Sequence, residues 1–229
     1  MDNKRQMVRD NYQRIASEIA EAAVKSGRTP EEIAFMAVTK TVDPILVNEA
    51  IDCGITLLGE NRVQEWQSKR EQYREGIPVD FIGALQTNKV KYLIPSIRLI
   101  HSVDRLSLAQ EIEKQAAKHG VVQDILLEVN IGGEESKSGT APAELPALLD
   151  AVSAFAHVNV RGLMTIPPPC SDDRYLAAME ELFLRTKETH PDRMQILSMG
   201  MSDDYAQAIR HGSNLVRVGS ALFGARIYK

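Results

Sequence analysis

The sequence predicts an α/β fold, a single (β/α)8 TIM barrel with an extra N-terminal helix, in which residues 1–229 form one domain. Eight short apolar runs alternate with segments of helical periodicity, and turn residues separate them. An apolar run bounded by turns is typical of a parallel strand that is buried on both faces. Strands that alternate with helices indicate βαβ units, and eight such units in a chain of this length favour a barrel. An open, doubly wound sheet is the alternative.

The predicted elements follow one another along the whole chain. A helix over residues 3–26 comes first and ends at Gly27, because glycine favours the left-handed position after a helix. The strands are predicted over residues 33–40, 55–59, 79–85, 98–103, 124–130, 158–166, 194–199 and 215–218. A helix is predicted after each strand, and the last is a short helical turn after Gly219.

Polar residues in front of the helical segments predict where these begin. Asp43 is expected to cap the second helix, with a proline in its first position. Thr87 and Ser202 are expected to cap the helices after strands three and seven. Either Ser171 or Asp172 is expected to cap the helix after strand six.

Composition and charge exclude several classes of protein. The formal charge of −4 gives no general attraction to nucleic acid. No run reaches the ~18 apolar residues of a membrane span, and the N-terminus lacks an apolar signal segment. Cys53 and Cys170 show no metal-ligand spacing, and two thiols fit a reducing, cytoplasmic setting. We expect a cytoplasmic monomer without a metal, a nucleic-acid partner or a membrane.

Lys40 ends the first predicted strand, AFMAVTK at residues 34–40. Alternate residues of a strand share a face, so Met36 and Val38 would lie beneath the lysine inside the barrel, and the residues between would face outer helices. Partial burial above an apolar floor disfavours the ammonium form and lowers the lysine pKa. A neutral amine is what a carbonyl needs to form a Schiff base. A lysine that simply reaches solvent is the other interpretation.

Two segments of small residues follow strands seven and eight, SMGMS at 198–202 and RVGSALFG at 217–224. Barrels often bind phosphate in these two loops, where glycines let the backbone approach closely and hydroxyls donate. We expect the amides of residues 219–221 to dominate, because Asp203 and Asp204 would repel an anion near Ser202. Simple turns and a helix cap are the other interpretation.

Arg217 precedes Gly219 by two positions and is expected to share its face of strand eight. An arginine inside a barrel mouth needs an acceptor, and a phosphate, a heterocyclic nitrogen or a carboxylate such as Glu128 would serve. A lysine that forms a Schiff base, together with a phosphate site, predicts a ligand that is an aldehyde and bears a phosphate. Pyridoxal 5′-phosphate fits this description, and so does a phosphorylated sugar in an aldolase.

Eight motifs carry a resemblance to a known family. They are AVTK at 37–40, LGENRVQE at 58–65, FIGALQTNK at 81–89, HSVDR at 101–105, VNIGGEESKSG at 129–139, RGLMTIPP at 161–168, LSMGMSDD at 197–204 and VRVGSALFGAR at 216–226. Over nearly its whole length the chain resembles the YggS/PROSC-type pyridoxal phosphate homeostasis proteins. This resemblance implies a single barrel like the N-terminal domain of alanine racemase.

The resemblance also implies a set of site residues. Pyridoxal 5′-phosphate would be held as a Schiff base on Lys40. The residues implied around its phosphate are Ser198, Met199, Gly200, Ser202, Gly219 and Ser220, and those beside its ring are Asn61 and Arg217. The positions that depart from the family pattern are Thr39, Arg62, Val79, Asp80 and Ser220, none of which removes a proposed anchor.

The implied function is pyridoxal phosphate homeostasis, meaning that the protein buffers the cofactor or delivers it to pyridoxal-phosphate-dependent apoenzymes without robust catalysis. A pyridoxal-phosphate-dependent amino-acid racemase and a lysine aldolase without a cofactor are the alternatives. Fold-related racemases take a tyrosine base from a separate C-terminal domain, and this chain ends about ten residues after strand eight. Arg217 at the ring nitrogen could only donate a hydrogen bond, which would leave the ring a weak electron sink. We therefore expect that this protein is not an enzyme.

Overall fold

A computed structural model describes residues 1–168 and 172–224, and it confirms the predicted barrel. Eight parallel strands close a barrel in chain order: β1 (Ala34–Val38), β2 (Leu58–Glu60), β3 (Val79–Phe81), β4 (Leu99–Val103), β5 (Gln123–Glu128), β6 (Val158–Met164), β7 (Ile196–Ser198) and β8 (Leu215–Val218). Cys170 and Ser171, which carried sequence predictions, lie outside the described residues.

Helices connect the strands, and one precedes them as predicted. The α-helices are α1 (Asp2–Lys25), α2 (Pro44–Cys53), α3 (Val63–Lys69), α4 (Leu106–His119), α5 (Leu145–Ser153), α6 (Arg174–Thr189), α7 (Tyr205–Arg210) and α8 (Ser220–Phe223). Short 3₁₀ helices cover Pro30–Glu32, Arg70–Gln72 and Thr87–Tyr92. No helix among the described residues has the length and apolar character that a bilayer crossing requires.

The chain divides into two compact units, and the first contains residues 1–79 and the segment that begins at 199. Within it β1 pairs with β8, so that Met36 lies beside Arg217 and Ala37 beside Val218. Ala37 and Val218 belong to a buried cluster with residues of α1, α2 and α7, which marks their face as the outer one. Met36 and Arg217 therefore share the opposite, inner face, as the alternation of strand residues predicts.

The second unit contains residues 80–198. Its strands pair in parallel from β3 through β7, and the registers shift once in β4–β5 and once in β5–β6. Leu99, Leu126 and Met164 form a buried cluster there, with Ile196 packed against it. These apolar side chains come from four different strands, as the continuous apolar runs of a parallel sheet predict.

Four predicted helix starts can be compared with the structure. The carboxylate of Asp43 accepts the amide of Ile45 at 2.9 Å, which confirms it as the cap of α2. The prediction for Thr87 is wrong: this residue opens a 3₁₀ helix rather than an α-helix, and Gln86 precedes it without a side-chain cap bond. Asp172 accepts the amide of Arg174 at 3.1 Å at the start of α6, although Asp173 is the cap residue.

Ser202 is also not the cap that the sequence predicts. The helix that follows it, α7, begins only at Tyr205 and has Asp204 as its cap residue. The reason is a long-range contact, because the Ser202 hydroxyl oxygen accepts amide hydrogen bonds from the segment after β8. A serine held by a distant backbone segment does not cap its own helix.

Candidate functional site

Lys40 stands two residues beyond the end of β1, at the edge of a cavity of about 210 Å³ in the first unit. Val38, which lies on the inner face of β1, and Gly219 line the same cavity as Lys40. The other residues of the lining come from the turn after β1, from Leu46 of α2, from α8 and the glycine that follows it, and from Lys4 of α1. A half-buried primary amine above an apolar floor suits reaction with a carbonyl.

The segment after β8 presents backbone donors next to this lysine. The amides of Gly219 and Ala221 both donate to the Ser202 hydroxyl oxygen, at 3.3 Å and 3.1 Å. Two amides that converge on one hydroxyl form a small polar cradle, and Ser220 between them lines the cavity of Lys40. Amide and hydroxyl donors are the groups that bind a phosphate without a charged side chain.

The carboxylate of Asp204 has a partner within this loop, and the expected repulsion of an anion by Asp203 and Asp204 stays a prediction. Asp204 accepts the amide of Met201 at 2.6 Å, so its carboxylate is used within its own turn.

Gly200 lies in a turn that admits only glycine. Its φ is +95°, and an added Cβ would lie 2.6 Å from the Cβ of Ala208. Its carbonyl accepts the amide of Arg217 at 3.0 Å, and the carbonyl of Met199 accepts the Ser213 hydroxyl at 2.7 Å. The loop after β7 is therefore fixed beside β8, where Arg217 is only 3% exposed.

Asn61 follows β2 directly and carries a buried acceptor. Among the described residues, no group donates a hydrogen bond to its Oδ1 atom. A buried polar atom without a partner is costly unless a ligand or water satisfies it. This orphaned oxygen is consistent with the predicted place of Asn61 beside a bound ring.

Glu60, the residue before Asn61, lies on the other face of β2. Its Oε1 accepts from the Thr39 hydroxyl at 2.6 Å and from the Tyr73 hydroxyl at 2.7 Å. Burial raises the pKa of the Glu60 carboxyl, and the two hydrogen bonds oppose this rise. Burial also raises the pKa of the Tyr73 hydroxyl, and the negative charge of Glu60 is the second-largest cause of this rise. In the sequence Glu60 stands only as part of the LGENRVQE motif, and this cluster is not predicted from it.

Ser198 ends β7 in the second unit and joins a buried chain of polar groups. Its Oγ lies 3.1 Å from Nδ1 of His101, and Nε2 of His101 lies 2.9 Å from Oδ2 of Asp80. Arg98 donates two bonds to Asp80, at 2.8 Å and 2.5 Å. The order resembles that of a hydrolytic triad, but Ser198, His101 and Asp80 are all fully buried, so the serine is not presented as an exposed nucleophile. The place of Ser198 beside a phosphate stays a prediction.

Eight of the nine predicted site residues lie in the first unit: Lys40, Asn61, Met199, Gly200, Ser202, Arg217, Gly219 and Ser220. Lys40, Gly219 and Ser220 line one cavity, and Ser202 is bonded to the backbone beside it. No group of three or more potential metal ligands occurs among the described residues. The arrangement can bind a small aldehyde that carries an anionic group.

Comparison with known proteins agrees with this chemistry. The family described as alanine racemase, N-terminal domain, matches residues 7–227. A protein of Aquifex aeolicus (strain VF5) named pyridoxal phosphate homeostasis protein is 41% identical over 224 residues, which cover 96% of this chain and 98% of that protein.

Solved structures show the same architecture. An unknown protein from Bifidobacterium adolescentis has a TM-score of 0.91 at 34% identity, over 97% of this chain and 96% of that chain. PipY of Synechococcus elongatus PCC7942, solved with PLP bound, has a TM-score of 0.75 at 30% identity, over 90% and 100%. Alanine racemase of Streptomyces lavendulae, at 19% identity and a TM-score of 0.76, shares the fold over 97% of this chain and 58% of that chain.

Proposed function

This chain belongs to the pyridoxal phosphate homeostasis proteins of the alanine racemase N-terminal domain family, and on that premise we propose that it binds pyridoxal 5′-phosphate and buffers or delivers it. The single observation that carries the proposal is the cavity that Lys40 shares with Gly219 and Ser220. An amine and a cluster of backbone donors lie there within one small volume. The cofactor has one aldehyde and one phosphate, and these two groups match the two parts of the cavity.

The residues present fit the cofactor. Bound pyridoxal phosphate supplies an aldehyde that condenses with amines and a ring that withdraws electrons. We propose that the Lys40 amine holds the aldehyde carbon as a Schiff base. The amides of Gly219 and Ala221 and the hydroxyl of Ser202, which bond to each other in this structure, would donate to the phosphate. The orphaned Oδ1 of Asn61 supports a place for that residue beside the ring.

Arg217 supports a binding role rather than catalysis. Its guanidinium is always charged and can only donate, so at the ring nitrogen it would keep that nitrogen without a proton. An unprotonated ring withdraws electrons weakly, which disfavours removal of a proton from a bound amino acid. We therefore propose that the protein is not a robust racemase, and that amines exchange onto the cofactor for delivery to apoenzymes. Its cytoplasmic location and its monomeric state stay sequence predictions.

A titration with pyridoxal phosphate tests this proposal. The purified chain should gain a visible absorbance band with one equivalent of cofactor, and the Lys40→Ala variant should not. Lys25→Ala removes an exposed lysine of α1 that pairs with Glu21 and serves as the control. A wild-type protein without the band, or a Lys40→Ala variant that keeps it, would refute the covalent site. An aldolase without a cofactor would show no band in any of the three proteins.

A further inference from the structure

Side chains of β2 and α3 hold the residues on both sides of Lys40. On the N-terminal side, the Thr39 hydroxyl donates to Glu60 at 2.6 Å, and both residues are fully buried. Alternation places Thr39 on the outer face and Lys40 on the inner one. Glu60 therefore fixes the strand end from outside the cavity.

On the C-terminal side, Thr41 adopts an unfavourable backbone conformation. Its φ is +62°, and among the described residues it is the one non-glycine residue with a positive φ. A β-branched residue rarely occupies this left-handed region, since its side chain crowds the backbone. Such conformations persist where surrounding contacts over-determine them, and they concentrate at functional sites.

Two charged side chains of α3 supply those contacts. The amide of Thr41 donates to Oε1 of Glu65. The amine of Lys69 donates to the Val42 carbonyl at 2.8 Å and lies 2.5 Å from the same Glu65 oxygen. Each of the two charged side chains is only 16% exposed, so solvent screens the pair little.

These groups act through the backbone and not on a ligand. Among the described residues, the lining of the Lys40 cavity includes Thr41 and Val42 but neither Glu65 nor Lys69. The ion pair of α3 therefore hydrogen-bonds to the backbone of Thr41 and Val42, the two residues that directly follow the proposed reactive lysine. Free rotation at Thr41 would let the Lys40 backbone, and with it the amine, turn away from the cavity.

We infer that Glu65, together with Lys69, is a positioning residue that holds the strained turn after Lys40 and so aims its amine into the cavity. The inference rests on the proposed function, because it specifies how the lysine of that site is presented to the cofactor. It also gives a role to the final glutamate of the LGENRVQE motif at residues 58–65, for which the sequence analysis proposed none.

The test measures how fast pyridoxal phosphate attaches covalently, by stopped-flow absorbance, in wild type and in Glu65→Ala. Small misplacements of a reacting group cost on the order of tenfold to a hundredfold in rate, and we expect a loss in this range. Glu49→Ala is the matched control, because Glu49 is a buried glutamate of the same unit that accepts from Arg9 at 2.5 Å. It should leave the rate within about twofold of wild type.

A second substitution separates positioning from general loosening. Asparagine tolerates the left-handed conformation better than threonine, so Thr41→Asn should restore much of the rate in the Glu65→Ala background. A normal rate in Glu65→Ala, or a slow rate that Thr41→Asn does not restore, overturns the inference. Should Glu65→Ala fail to fold, Lys69→Gln carries the same test, with an expected slowing of severalfold.

The outcome distinguishes this inference from the proposed function. If wild type forms no covalent adduct, the proposed site itself is wrong. If wild type forms the adduct and Glu65→Ala forms it equally fast, only the positioning role is wrong. A second readout is the noncovalent affinity for pyridoxal phosphate, measured by fluorescence quenching in Lys40→Ala and in the double variant Lys40→Ala/Glu65→Ala. The two affinities should be the same, because Glu65 acts only on the position of the lysine.

Discussion

Two glycines of the first unit allow the cofactor cavity to be tested separately from the fold. Gly219 has a φ of −118°, which any residue can adopt, and an added Cβ would lie 3.4 Å from Cβ of Val38. This is an ordinary contact distance, so Gly219→Ala should change the free energy of unfolding by less than about 1 kcal/mol. Gly219→Val places further methyl groups beside Val38, inside the cavity of about 210 Å³ that contains Lys40.

We expect Gly219→Val to lose at least tenfold in affinity for pyridoxal phosphate, or about 1.4 kcal/mol, because the side chain occupies the place of the phosphate. Gly212 is the matched control: it follows α7 with a φ of +81° and is absent from the cavity lining. Gly212→Ala places a side chain in the left-handed region at a cost of about 1–2 kcal/mol. For a chain of this size that lowers Tm by roughly 2–8 °C.

Substitutions at the two positions should therefore have their effects in different assays. Thermal unfolding without cofactor should show Gly212→Ala as less stable than Gly219→Ala, and a cofactor titration should show Gly219→Val as a weaker binder than Gly212→Ala. Equal cofactor affinity in the two variants would refute the phosphate cradle. A large loss of stability in Gly219→Ala would refute the reasoning from the contact distance.

Three further predictions concern single groups. Lys40→Ala should abolish the covalent adduct and change stability by less than about 0.5 kcal/mol, because the side chain is half-buried beyond a strand end; chemical denaturation that shows a larger loss contradicts this. Burial raises the pKa of Glu60 above the unfolded value of about 4.3, so the folded state binds more protons and stability falls as pH rises from there through the folded pKa. The denaturation midpoint of Glu60→Gln should therefore rise relative to that of wild type as pH increases across that window. A difference between the two midpoints that does not change with pH would contradict the raised pKa of Glu60. With excess alanine, chiral chromatography should show turnover far below the ~1–10³ per second of ordinary enzymes, and turnover in that range restores the racemase alternative.

Much of the fold could be predicted from local patterns. Strand order follows from the alternation of apolar runs and helices, and the inner face of β1 follows from the period of two that places Val38 under Lys40. Element boundaries were less predictable. The predicted strand at residues 79–85 is only Val79–Phe81, because loop residues after a strand can be as apolar as the strand itself.

The parts of the site that the sequence did not predict depend on contacts between distant segments. Ser202 has the residue type of a helix cap, but its hydroxyl accepts amides that lie 17 and 19 positions later. The contact between Thr39 and Glu60 depends on the register of β1 against β2, which a hydrophobic pattern specifies only through its faces. The strained Thr41 gave no signal, because threonine is an unusual choice for a left-handed position.

The most direct test of the account is to map the lysine that carries the cofactor. The protein is incubated with one equivalent of pyridoxal phosphate, reduced with borohydride, digested and analysed by peptide mass spectrometry. We expect one modified peptide, with the adduct on Lys40. Lys4 lines the same cavity, so an adduct on Lys4, or an adduct spread over several surface lysines, would contradict the central claim.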